Sequence, residues 1–120
     1  MIPKNSKVLT LKEPWMTMIL SGEKTMELRS TRTNIRGTIY LAQSKTQYIF
    51  GKVDIVDCLG PFSDEVFELN KQYHRYHKVK PYNNTYGWVL SNAFSFCDPI
   101  LFKRPPGAVI WSTVKEDINC

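Results

Sequence analysis

Apolar residues recur along this chain at two periods, and the changes of period mark its elements. Val8-Leu9-Thr10-Leu11 reads as a short strand leaving a polar tail. Glu13 to Leu20 then spaces Trp15, Met16, Ile19 and Leu20 as a helix spanning roughly Pro14 to Ser21. Pro14 falls in its first turn, where the missing N–H costs nothing, and Gly22 follows as the cap. From Thr25 the period becomes two, so Met26 and Leu28 share one strand face while Thr25, Glu27 and Arg29 share the other. A basic loop ends at Gly37, and Thr38 to Gln43 restarts as a β-branched and aromatic strand. Tyr48 to Leu59 predicts a longer strand with Val53, Ile55 and Leu59 on one face, and Gly51 marks a bulge or a close backbone approach.

The second half continues the same alternation. A second helix is expected from Ser63 to His74, capped by Ser63 or Asp64, with Val66, Phe67, Leu69 and Tyr73 forming its inner stripe. Beyond the turn-rich Lys78 to Asn84 segment, Tyr86 to Leu90 reads as a buried strand, extended raggedly by Phe94-Ser95-Phe96 and by Pro99 to Phe102. Val109 to Val114 is the last strand. Two short helices among five or six strands predict an α+β, mainly β fold, a small twisted barrel with the helices closing its ends.

Composition narrows the class. With 120 residues the chain, 1–120, is long enough for one domain and too short for two. Hydrophobic residues at 42% and charged residues at 22% are ordinary globular usage. No apolar run reaches membrane-span length and Met1 to Lys7 lacks a signal-peptide pattern, so the expectation is a cytoplasmic protein, with the nucleus as the other compartment. Cys58, Cys97 and Cys120 are odd in number and far apart, which predicts reduced thiols and neither a disulfide framework nor a zinc site. His74 and His77, at an expected frayed helix end without acidic or cysteine partners, are expected in solvent. No metal and no cofactor are expected.

The net charge of +5 lies entirely in the first half: residues 1–50 carry eight Lys/Arg against three Glu, and residues 51–120 carry eight against eight Asp/Glu. Positive potential concentrated in one region suits a polyanionic partner, so RNA or a nucleoside is the expected partner, with DNA as the alternative polymer. Within that half, Ser21 to Ser30 places Lys24, Glu27 and Arg29 within six residues. Glu27 and Arg29 two apart on a strand form an ordinary surface ion pair in the plainest case. Lys24, on the corner after Gly22, is free of strict alternation and can turn toward them, giving a cluster in which the cations keep Glu27 ionised and Arg29 depresses the pKa of Lys24.

These residues carry a resemblance. Gly22, Lys24, Glu27 and Arg29 fit the G-x-K-x-x-E-x-R signature of the ASCH domain family. Around them stand a Glu13-Pro14-Trp15 helix start in place of Q-P-W, an Arg36-Gly37 before a strand, Tyr86-Gly87-Trp88 and a terminal Ile110-Trp111. The chain thus resembles ASCH domains over nearly its whole length. The resemblance implies a PUA-like β-barrel with two short helices and a cleft in which the lysine, glutamate and arginine meet, and it implies RNA binding. It also implies alternatives seen within the family: nucleases, coactivator-like interaction modules, and small amidohydrolases of N4-acetylcytidine. In those hydrolases the motif lysine is the base and a threonine at the position of Glu27 is the nucleophile. Glu27 departs from that pattern and leaves Thr25 or Ser44 as alternative hydroxyls.

The residue assignments follow. Lys24, Glu27 and Thr25 are the candidate catalytic group. Arg29, Arg32, Arg36 and Lys45 are candidates for holding phosphates, with Ser44 beside them, Trp15 as a cleft wall, and Tyr86, with Tyr82, as a stacking surface for an unpaired base. The leading reading is an RNA-binding module that takes single-stranded or modified RNA, or a nucleoside, in the Lys24 cleft. A hydrolase using Lys24 and Glu27 is the second reading, and a protein-interaction domain is the third.

Overall fold

The computed structural model describes residues 1–104 and 110–119. Six strands and three short helices follow in the order β1 (Lys7–Leu11), α1 (Trp15–Leu20), β2 (Met26–Arg29), β3 (Gly37–Gln43), β4 (Tyr48–Leu59), α2 (Asp64–Leu69), α3 (Lys71–His74), β5 (Tyr86–Leu101) and β6 (Trp111–Thr113). The strands form one curled sheet in the order β2-β5-β4-β3-β1-β6, parallel only between β1 and β3. This is the mainly β architecture that the sequence predicts, with the expected barrel realised as a curled half-barrel.

Alternation builds the sheet where it is regular. Val53 and Ile55 of β4 point inward, against Ile39 and Leu41 of β3, Leu9 and Leu11 of β1, and Trp88 and Leu90 of β5, while Ile49 packs in a second cluster with Val8, Tyr40 and Ala42. After Ile55 a bulge shifts the β4 register by one residue, so Cys58 is buried and Leu59, expected inside, is exposed. Gly51 combines both readings of an isolated strand glycine. The β4 register shifts beside it, and an added Cβ would stand 2.4 Å from the Phe94 carbonyl and 2.5 Å from Leu20 Cδ2.

The Phe94 and Pro99 segments extend β5 as expected, as far as Leu101, and the ragged pattern comes from further bulges in its pairing with β4, at Ile49/Gly51 and Lys52/Asp54. The helical expectation is corrected. The second helix is two helices, interrupted at Asn70, whose N–H and side-chain amide both turn back to the Val66 carbonyl. Its inner face is Phe67 and His74, seven residues and two turns apart, while Val66, Leu69 and Tyr73 are exposed. Ser63 caps α2 as expected, accepting from the Val66 N–H at 3.2 Å. Of the expected last strand, Val109 lies outside the described residues, as does Cys120; Cys58 and Cys97 are free thiols. Among the described residues no helix is long and apolar enough to cross a membrane.

Candidate functional site

The corner between α1 and β2 sets the site. Gly22 adopts φ +85°, closing α1 by donating to the Ile19 carbonyl, and the Lys24 N–H returns to the Met18 carbonyl. Lys24 is thereby turned inward with 3% exposure. Its Nζ donates to the His74 carbonyl at 2.6 Å, lies 3.9 Å from Glu27 Oε1 and stands 5.1 Å from the Trp15 ring centroid. Strand alternation then sends Met26 and Leu28 to pack with Phe62 and Phe67, and sends Glu27 and Arg29 into the cleft. Arg29 Nε and Nη2 both donate to Glu27 Oε2, at 2.9 and 2.7 Å, and Nη2 reaches the Thr10 carbonyl of β1 at 3.4 Å. The Arg29 guanidinium lies 5.7 Å above Trp88, which stacks on Trp111.

The electrostatics follow from burial. The Lys24 pKa is lowered to about 8, chiefly because burial strips water from the ammonium; Glu27 pulls it back up and Arg29 adds a smaller push downward. Arg29, expected as the depressing agent, is therefore the lesser cause. His74, expected in solvent, is fully buried. Its Nδ1 accepts the Tyr76 N–H at 2.9 Å, which leaves Nε2–H to donate to the Phe67 carbonyl at 2.9 Å, and burial pushes its pKa down. A neutral imidazole thus fixes the carbonyl that holds Lys24 and the turn that presents Tyr76; His77 is exposed.

Around this floor opens a cavity of about 770 Å³. Trp15, Tyr76 and Tyr82 line it, with the Trp15 and Tyr76 rings 5.8 Å apart. Lys12, Lys24, Arg29, Lys45 and Arg104 set five cations against one carboxylate, Glu27, among the described residues. Ser44 and Thr10 add hydroxyls.

The cavity gathers Trp15, Lys24, Glu27, Arg29, Ser44 and Lys45 from the sequence-derived set and leaves four outside. Thr25 is spent on backbone pairing, its N–H to Tyr73 and its carbonyl to Leu90, and its side chain does not line the cavity. Arg36 folds back on the carbonyls of Thr33 and Ile35, 3.0 and 2.9 Å away. Arg32 donates to the Gly60 carbonyl and lies 5.2 Å over the Tyr86 ring, so Tyr86 is covered by its own arginine and Tyr82 is the tyrosine at the cleft.

Arg104 is the residue that sequence reading missed. It donates to Thr10 Oγ1 at 3.0 Å and to the carbonyls of Gln43 and Thr46, stapling the end of β1 to the β3–β4 turn. Nothing local signals it, because its partners lie 94, 61 and 58 residues away. Tyr76, in the segment after α3, is likewise visible only through the Trp15 ring it meets. No group of three or more His, Cys, Asp or Glu among the described residues is arranged to hold a metal.

The comparisons agree with this fold. The chain is similar in fold to a crystal structure of ASCH from Zymomonas mobilis, with TM-score 0.73 and 12% identity over 92% of this chain and 88% of that one. A serine-to-alanine variant of that protein gives TM-score 0.62 and 17% identity over 96% and 92% of the two chains. A tyrosine-to-phenylalanine variant gives 0.60 and 14% over 93% and 91%. No curated protein sequence matches the chain. The ASCH domain family model matches residues 9–100, which span β1 through nearly all of β5 and include Lys24, Glu27 and Arg29, and the chain therefore belongs to the ASCH domain family.

Proposed function

We propose that the chain binds RNA by taking one unpaired base into the cleft over Lys24, Glu27 and Arg29. The observation that carries this reading is the combination in one cavity of aromatic walls, Trp15, Tyr76 and Tyr82, with a floor that offers both a donor and an acceptor. Lys24 Nζ is the donor, and Glu27 Oε1, turned away from Arg29, is the acceptor 3.9 Å from it. A base edge presents donors and acceptors side by side, and aromatic walls hold its faces. The volume of about 770 Å³ lies within the ~300–1,000 Å³ of small-molecule sites, enough for one nucleotide rather than a duplex groove.

The test is equilibrium binding of a fluorescently labelled single-stranded RNA and of its duplex. Preference for the single strand, lost in Lys24→Ala, supports the reading. Equal affinity for both RNAs, or an unchanged affinity in Lys24→Ala, refutes it.

One observation favours hydrolysis as a second reading. Lys24, with its pKa lowered to about 8, releases its proton just above neutral pH, far more readily than an ordinary lysine, as a general base requires, and Ser44 supplies a hydroxyl in the same cavity where Thr25 does not. Turnover of N4-acetylcytidine that disappears in Lys24→Ala supports this reading. Absence of turnover across pH 7 to 9.5 rejects it for that substrate.

A further inference from the structure

Two of the cleft's cations have no work in the fold. Lys24 and Arg29 share Glu27, and Arg104 caps carbonyls, but Lys12 and Lys45 are exposed and their side-chain ammonium groups make no hydrogen bond or ion pair among the described residues. They stand together for a topological reason. β1 and β3 are the parallel pair, in register at Leu11 and Gln43, and the Ser44 N–H donates to the Leu11 carbonyl at 2.7 Å, so residues 12 and 45 leave the same end of the sheet side by side.

The turn that carries Lys45 is built at a cost. Lys45 has φ +66°, a left-handed conformation that lysine rarely adopts. Around it, Thr46 donates backbone N–H and hydroxyl to the Gln43 carbonyl at 3.2 and 3.0 Å, and Arg104 clamps the carbonyls of Gln43 and Thr46 from outside. Three of the five guanidinium N–H groups are so used, and Nε–H and one Nη1–H have no partner among the described residues. A strained lysine held by a buttressed arginine, at the mouth of a cavity and beside a second free ammonium, is suited to a compact anion that accepts from all three.

We propose that Lys12, Lys45 and Arg104 form a phosphate seat, and that the cleft's ligand is a nucleotide carrying its phosphate rather than a bare nucleoside. This deepens the base-binding reading and rests on it for the base. The phosphate belongs either to a terminal monoester or to a phosphodiester within a chain, and both offer the same oxygens to the seat.

The experiment is calorimetric titration of the whole chain with inorganic phosphate, the four common ribonucleosides, their 5′-monophosphates and a dinucleoside monophosphate, repeated with Lys12→Gln/Lys45→Gln. Both lysines are exposed, so the double variant folds, which its thermal midpoint checks. The phosphate is expected to tighten binding about tenfold or more, as one to two charge-assisted hydrogen bonds would, and this nucleotide-to-nucleoside ratio falls toward one in the double variant. A dinucleoside monophosphate that matches the monophosphates supports a diester in the seat, and one that matches the nucleosides supports a terminal monoester. Nucleosides and monophosphates binding equally overturns the seat and leaves the base reading standing. Monophosphates that bind only as well as inorganic phosphate, with no nucleoside binding, overturn the base reading and reduce the seat to an anion site. A ratio that survives in the double variant overturns the assignment to these lysines.

Discussion

Replacing Lys24 by Met isolates the energetic consequence of burying its ammonium. The side chain has 3% exposure and its pKa is lowered to about 8 from an ordinary 10.5. Below pH 8 the lysine is protonated in both the folded and the unfolded chain, and the fold bears the full cost of burying the charge. Between pH 8 and 10.5 the unfolded chain still binds the proton while the folded one releases it, so stability rises with pH across that window. Two and a half pKa units correspond to about 3 kcal/mol in all, of which about 2 kcal/mol is recovered between pH 7 and 9.5. Lys24→Met has no proton to release and forgoes this gain. Because other groups titrate in both proteins, the quantity to follow is the difference between them, from urea unfolding at pH 7, 8, 9 and 9.5. Native protein should gain about 2 kcal/mol on the variant over that range. Unfolding free energies that move in parallel, with a constant difference, refute the buried-cation account whatever their absolute values. The comparison at pH 7 alone does not decide it, since the variant also removes the 2.6 Å hydrogen bond to the His74 carbonyl.

Further tests concern the pair, the sheet and the surface. Glu27→Gln leaves Lys24 and Arg29 as neighbouring cations without their anion; it should cost about 3 kcal/mol in chemical unfolding and lower the Lys24 pKa further, and a loss below about 1 kcal/mol refutes the pairing. Gly51→Ala drives a methyl into the Phe94 carbonyl and Leu20, which should cost about 1–3 kcal/mol, and an unchanged thermal midpoint refutes the close approach. With one phosphate held by Lys12, Lys45 and Arg104, single-stranded RNA affinity should fall with a slope of about −0.7 against log salt, and the slope should flatten in Lys12→Gln/Lys45→Gln. A flat salt dependence rejects that footprint.

Local physics made part of this site legible and hid the rest. Glu27 and Arg29 are readable because a two-residue period fixes which side chains share a face, and Lys24 because a glycine in a left-handed corner releases its neighbours from that period. The same rule led to Thr25, which fails because the strand proper begins one residue later, at Met26. Arg32 and Arg36 have the right charge for a phosphate, yet nearby carbonyls take their donors first, and charge alone does not reveal that competition. Arg104 and Lys12 needed topology: the β1–β3 parallel pairing brings residues 12 and 45 together, and the β4–β5 pairing at Tyr48 and Leu101 carries Arg104 to the same rim. In α2 and α3 the inner stripe was misread because one of its two members is a histidine, counted as polar, and because Asn70 breaks the helix into two.

The aromatic residues beneath the cleft cations give the protein a built-in optical reporter. The chain has three tryptophans, and each is tied to the cleft: Trp15 at its wall under Lys24, Trp88 under Arg29, and Trp111 stacked on Trp88 at 5.8 Å with planes 20° apart. An indole's emission responds to the charge and water at its face, so a ligand that draws Lys24 or Arg29 away from the rings alters fluorescence without any label. The Trp88–Trp111 stack reports something different, because it joins β5 to β6 across the curl of the sheet. Exciton coupling between two such close transition dipoles registers in the circular dichroism of the aromatic bands, and it fades if the curl opens. Emission and dichroism therefore separate occupancy of the cleft from deformation of the sheet that bears it.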